Sequence, residues 1–151
     1  MGRALIGGLL RSGTPPAQLS VGESDADARA AVLRDFGVSA ADDNRTAVAA
    51  ASIVVLAVRP QDAASVLRPL AAVFAGTRPL LVSVAAGVRI ASLESWCGPG
   101  VPVMRAMPNR PARIGAGATG VYAPSSVDGG RRTEAERVLQ GLGEVDRKSV
   151  V

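Results

Sequence analysis

The 151-residue sequence contains no histidine, one cysteine, one lysine and one tryptophan, and aromatic residues make up only 3% of it. Without histidine there is no imidazole general base, no His-based triad and no His metal site. A lone Cys97 cannot close an internal disulfide, which fits a reducing compartment; beside Trp96 it reads as a small, semi-buried residue. With so few aromatics, any core must be built from Ala, Val, Leu and Ile. No apolar run approaches the roughly 20 residues that cross a bilayer. No basic stretch leads into an apolar run that ends in a cleavage site, so a cytoplasmic setting is expected, with no membrane partner.

What remains is 48% hydrophobic and 20% charged, the balance of a globular domain. The net charge is +4. Its arginines are scattered, with Arg131-Arg132 the only adjacent basic pair before the tail, and they are not interleaved with aromatics. That distribution suits a solvated surface, and no nucleic-acid partner is expected.

Strand-like and helix-like segments alternate along the chain. The opening "MGRALIGGLL" carries a helical apolar face, broken by Arg11-Ser12-Gly13. A short strand is expected at 18–22. A helix capped by Ser24-Asp25-Ala26-Asp27 follows, running to Phe36 and stopped by Gly37. A brief strand at 38–39 and a helix at 45–51, preceded by Asn44, come next. "SIVVLAV" (52–58) and "PLLVSV" (79–84) read as parallel strands buried on both faces. Between them a helix starts at Pro60 and runs to Ala75, with Pro69 a point of kinking or division. Further along come a helix at Ile90–Cys97, strands at 101–107 and 117–123, and a helix at 128–142. Glu144-Val145 starts one more strand. Such repeats predict an α/β fold, with a mainly parallel sheet covered by helices on both faces.

In sheets of this kind ligands gather at the carboxyl ends of the strands. Four stretches fall there. "AVRPQ" (57–61) passes from a strand into a helix at Pro60, where free N–H groups suit a phosphate or ribose, and Arg59 adds a cation. The bland alternative is a plain turn with a solvated arginine. "VAAGV" (84–88) places small residues and Gly87 at a strand end, so that backbone approaches a flat ligand or merely turns. "RAMPNRPA" (105–112) holds the Asn109 amide between two prolines. Glu23 stands 21 residues after Gly2, the spacing at which an acid binds an adenosine ribose hydroxyl.

"LAVRPQ", "SVAAGV" and "MRAMPNRPA", in this order and with "AGATG" downstream, resemble the amino-terminal domain of pyrroline-5-carboxylate reductases. The likeness extends from Gly2 to about Val145. It implies a Rossmann-type doubly wound domain over 1–145, NADPH or NADH as cofactor, and reduction of 1-pyrroline-5-carboxylate to L-proline. Met1 and Gly2 match the end of the family's phosphate loop, so the sheet is expected to lack its first strand, the central one between "QLSVG" and "SIVVLAV". By the same resemblance Glu23, Ser24 and Asn44 border the adenosine ribose, and Ala57, Val58, Arg59 and Pro60 line the cofactor. Ala86, Gly87 and Asn109 lie toward the nicotinamide ribose. No catalytic or metal-binding residue is expected in the chain, because the family's substrate residues belong to a carboxyl-terminal dimerisation domain. The full-length parent is expected to form a homodimer or higher homo-oligomer.

The sequence departs from the family pattern at Arg59, usually lysine, and at Arg110, usually threonine or similar. Lys148, the only lysine against 16 arginines, falls in "DRKSVV" (146–151). A common sequencing adapter would encode those six residues, and they are expected to be a non-native tail. Two rival readings stand. One is a Rossmann dehydrogenase of the β-hydroxyacid or prephenate type, disfavoured because such enzymes recruit a His or Lys. The other is a non-catalytic nucleotide-binding module. The choice between NADH and NADPH stays open: Glu23 favours the first, while Ser24, Asn44 and Arg59 suit the second.

Overall fold

A computed structural model describes residues 1–147. Helix α1 spans Gly2–Arg11, β1 Val21–Gly22, α2 Ala26–Phe36, β2 Ala40–Ala41 and α3 Asn44–Val48. Then come β3 Ile53–Leu56, α4 Ala63–Leu67, α5 Ala71–Thr77, β4 Leu80–Ser83, α6 Ile90–Cys97 and β5 Val103–Pro108. The chain continues through β6 Gly117–Tyr122, α7 Gly129–Leu139 and β7 Gly143–Arg147.

The strands form two separate sheets. β1 pairs in parallel with β2; the other five run in the order β3-β4-β5-β6-β7. Within the larger sheet only β5 and β6 are antiparallel. No ladder joins β1 to β3 among the described residues, so each presents an edge where a doubly wound sheet has a central strand.

Side chains alternate across the large sheet and build two cores. Ile53, Val55, Leu80, Val82, Met104 and Ala106 face α1 and α7, where Leu5, Leu9, Ala135 and Leu139 meet them. Val54, Leu56, Leu81 and Val103 face the other way, against Leu67, Leu70, Phe74 and Leu93. β4 is buried at every position, as a parallel strand covered on both faces should be. β3 was expected to match it, yet Ile53, Val54 and Val55 are only half-buried. The reason is positional: β3 is the edge of its sheet.

Several element boundaries differ from expectation for local reasons. The strand expected at 18–22 is reduced to Val21–Gly22, because Pro16 starts a 3-10 turn over Pro16–Gln18. The brief strand expected at 38–39 lies at Ala40–Ala41. The helix expected at 45–51 begins one residue earlier and stops at Val48, because Asp43 rather than Asn44 is its N-cap. The helix expected from Pro60 to Ala75 is divided by 3-10 turns at Pro60–Asp62 and Arg68–Leu70, the second around Pro69. Gly37, at φ 66°, ends α2 in the left-handed conformation. Of the six residues expected to be a tail, Asp146 and Arg147 extend β7, and residues 148–151 lie outside the described residues. Arg147 donates to both oxygens of the buried Glu136 carboxylate on α7, at 2.6–2.9 Å.

Cys97 is fully buried, and burial pushes its thiol up to about 11, so it packs as an uncharged small residue.

α1 is held by a backbone-on-backbone contact. Gly8 lies against the Gly141 carbonyl in the 3-10 turn Gln140–Leu142, and a Cβ on Gly8 would overlap that carbonyl. Gly76 in α5 has open space instead. Helix propensity alone favours alanine over glycine by about 1 kcal/mol at either position. Gly76→Ala should therefore stabilise slightly, while Gly8→Ala should lose about 3 kcal/mol through overpacking; chemical denaturation of the two variants separates the effects. Thr119 on β6 is fully buried and its hydroxyl oxygen has no hydrogen-bond partner. Thr119→Val should raise stability by about 1 kcal/mol, read from the same denaturation curves, because it removes an unsatisfied group at nearly constant volume.

Candidate functional site

β3, β4 and β5 are adjacent and parallel, so the segments that leave them share one edge. Ala57, Val58, Arg59 and Pro60 follow β3, Ala86 and Gly87 follow β4, and Asn109 follows β5. The start of α1 reaches the same edge: a Cβ built on Gly2 lies 3.5 Å from the Ala57 Cβ. α1 has no side-chain cap at Met1 and no acid in its first turn, so its leading N–H groups and positive dipole end are unopposed there.

Gly87 sits at φ 75°, a conformation that favours glycine, and nothing lies within 4 Å of its missing Cβ. The turn needs the glycine, and the open space beside it leaves the backbone approachable.

One expectation is corrected at this edge, and another gains a partner. Arg59 Nε donates to Asp62 Oδ2 at 2.8 Å, three residues on, in a pair whose arginine side chain stays 76% exposed. Pro60 opens a single 3-10 turn rather than an α-helix, so the dipole expected behind a phosphate is weak there. Asn109 also differs from a freely offered amide. Its Oδ1 accepts from the Ala118 N–H at 3.0 Å, and its own N–H donates to the Ala118 carbonyl at 3.1 Å. Side chain and backbone thus clamp the Pro-flanked loop to β6, which leaves the amide NH2 as the group to offer a ligand. A groove of about 760 Å³ opens beside it, lined by Asn109, Ala118, Gln140, Gly143, Glu144 and Val145.

A second set of expected residues gathers at the carboxyl ends of β1 and β2. The Glu23 N–H donates to the Ala41 carbonyl at 2.9 Å, extending that ladder by one bond. The Asn44 side chain lies directly over Gly22, where any Cβ would collide with it. Gly22 is therefore the hidden partner of Asn44, and only their pairing in space identifies it. Glu23 Oε1 accepts from the Asp25 N–H at 3.0 Å, and Asp25 caps α2 by accepting from the Ala28 N–H at 2.7 Å. Arg29 Nη1 donates to the Glu23 and Ser24 carbonyls, each at 2.8 Å, and so pins the loop. Arg29 lies six residues from Glu23 with no motif to flag it. Among the described residues no cluster of His, Cys, Asp or Glu suits a metal ion, and no helix is long and apolar enough to cross a membrane.

The two-faced sheet and the clustering of open backbone at its carboxyl edge define a Rossmann-type α/β unit. Residues 1–87 match the family described as NADP oxidoreductase, coenzyme F420-dependent, and the chain belongs to that family. Among curated relatives it is 40% identical over 143 residues to a pyrroline-5-carboxylate reductase of Pseudomonas aeruginosa, covering 95% of this chain and 52% of the relative. It is 38% identical over 149 residues to one of Mycobacterium leprae, covering 96% of this chain and 50% of that one. A solved pyrroline-5-carboxylate reductase from Coxiella burnetii matches with a TM-score of 0.94 and 33% identity, over 99% of this chain and 55% of that one. A prephenate dehydrogenase from Aquifex aeolicus shares the fold at a TM-score of 0.78 with 14% identity, over 99% of this chain and 58% of that one. The chain spans about half the length of the curated relatives it matches.

At this edge the Asp43 carboxylate caps α3 through the Arg45 N–H and also pairs with the Arg45 side chain, both at 2.9 Å. The Arg45 side-chain bond, then its backbone N–H, hold the Asp43 carboxyl below its usual 3.8. A depressed folded-state pKa stabilises fully above the ordinary value and is lost as pH falls through the folded one. Urea midpoints should therefore fall below about pH 4, and Asp43→Asn should shrink that fall while keeping the cap.

Proposed function

We propose that this chain is the cofactor-binding part of a pyrroline-5-carboxylate reductase, which reduces 1-pyrroline-5-carboxylate to L-proline with NADPH or NADH. The observation that carries this reading is the 40% identity to the Pseudomonas aeruginosa enzyme across 143 residues. The fit of a dinucleotide rests on this chain's own features. The uncapped start of α1 suits a pyrophosphate. The open backbone at Gly87 and the remaining donor of Asn109 suit the nicotinamide end. Glu23, Ser24 and Asn44 suit the adenosine ribose. The nicotinamide supplies the hydride when bound; the role of these residues is to bind and orient it.

Two structural features support a larger parent. The unjoined edges of β1 and β3 fit one further parallel strand between them. Met107 and Ile114 are 48% and 80% exposed on either side of Asn109, apolar groups suited to a second, substrate-binding domain. The same reading carries a homodimeric or larger assembly and a cytoplasmic setting, the latter supported by the single, uncharged cysteine.

A chimera tests the reading. Residues 1–145 of this chain would replace the matching part of the Pseudomonas aeruginosa relative, behind that enzyme's own opening strand and ahead of its second half. The chimera should oxidise NADPH or NADH only when 1-pyrroline-5-carboxylate is present, and form proline. A folded chimera that binds dinucleotide but forms no proline would remove the substrate assignment, and one that binds no dinucleotide would remove the cofactor assignment too.

A further inference from the structure

The carboxyl edge of the β1–β2 pair is acidic, and both arginines among its acids already carry bonds within the fold. Glu23, Asp25 and Asp27 follow β1, and Asp42 and Asp43 follow β2. Two arginines stand among them. Arg29 spends Nη1 on the Glu23 and Ser24 backbone carbonyls. Arg45 is paired through Nε and Nη2 with Asp43. At the start of α2 the Asp25 carboxylate already accepts from the Ala28 N–H and Glu23 accepts the Asp25 N–H, so two carboxylates stand where an anion would approach. A 2′-phosphate on an adenosine ribose needs a free arginine or free N–H groups at this position, whereas a free 2′-hydroxyl needs a carboxylate.

Resting on the dinucleotide reading above, we infer that this edge selects NADH over NADPH, with Glu23 as the residue that discriminates. The Glu23 carboxylate is held at the strand end by the Asp25 N–H, which uses one oxygen, Oε1, and leaves Oε2 to accept from a ribose hydroxyl. A phosphate there would bring nearly two negative charges against it. Asn44, stacked over Gly22, supplies an amide that serves either nucleotide and so does not offset the repulsion. Arg59, the remaining expected cation, is tied to Asp62 on the far side of the break between the sheets.

The test titrates the chimera described above, whose opening strand is restored, with NADH and with NADPH, following nicotinamide fluorescence, and repeats both titrations with Glu23→Gln in the chimera and in 0.5 M salt. NADH should bind at least about tenfold more tightly than NADPH at low salt. Glu23→Gln and high salt should each shrink that ratio to about threefold or less, since both weaken a charge repulsion. Circular dichroism confirms that the variant is folded; the salt arm needs no variant. Equal binding, tighter NADPH binding, or a ratio untouched by both changes would overturn the inference while leaving the dinucleotide reading intact. If neither dinucleotide binds, the dinucleotide reading itself fails and this inference falls with it.

Discussion

The approach of α1 to the turn Gln140–Leu142, backbone against backbone at Gly8 and Gly141, is the contact on which the arrangement depends. It presses the first helix against the turn between α7 and β7, and Leu5 and Leu9 then join Leu139 and Leu142 in one core. The same contact sets where α1 begins. Its N-terminal end arrives beside Ala57, at the carboxyl end of β3. A side chain at Gly8 would move the helix, and with it the N-terminal end that meets Ala57 at that edge. Packing and the candidate site are thus coupled through one pair of missing Cβ atoms.

The divided sheet is the second constraint. Among the described residues β3 pairs with β4 on one side and with no strand on the other, and β1 pairs with β2 alone. The two sheets are nevertheless tied together by side chains. Leu19 packs into the core around α1, Val48 joins the opposite core, and Arg3 on α1 pairs with Asp35 at 2.6 Å while lying 5.1 Å from the Phe36 ring centre. Apolar burial at both ends of the β1–β2 pair keeps it in place where backbone pairing is absent. Such contacts fix position less strictly than a ladder does, because they are not directional.

Much of this was legible in the residues. Runs such as "SIVVLAV" and "PLLVSV" announce parallel strands because burial on two faces demands unbroken β-branched and apolar residues. Pro69 announced a division, and Gly37 a helix end. Most of the edge segments were legible too, since strand ends follow from strand positions. What the sequence did not disclose depends on partners distant along the chain. That Asn109 spends its carbonyl on Ala118 requires β6 to fold back antiparallel beside β5. That Gly22 must be glycine requires Asn44 to arrive over it from another element. Arg59 reads as a cation, and only the fold brings the Asp62 carboxylate to its Nε, while Arg29 carries no motif that flags its bonds to the Glu23 and Ser24 carbonyls. Sequence marks which groups carry charge; only the fold shows which charges are already spent.

That last distinction governs how the edge can work. The sequence holds no histidine, and its one lysine lies outside the described residues. The groups at the strand ends are backbone N–H, the amides of Asn44 and Asn109, and carboxylates, which are groups that bind and orient a ligand. Arginine, the abundant cation, remains charged throughout and serves here as a structural clamp. A strand-end edge of this composition earns its selectivity from where charges are fixed, not from groups that change protonation. Beyond β1 and β2 the carboxylates of Glu23, Asp25 and Asp43 are each fixed by a backbone N–H, so their positions are set by the same turns that start α2 and α3.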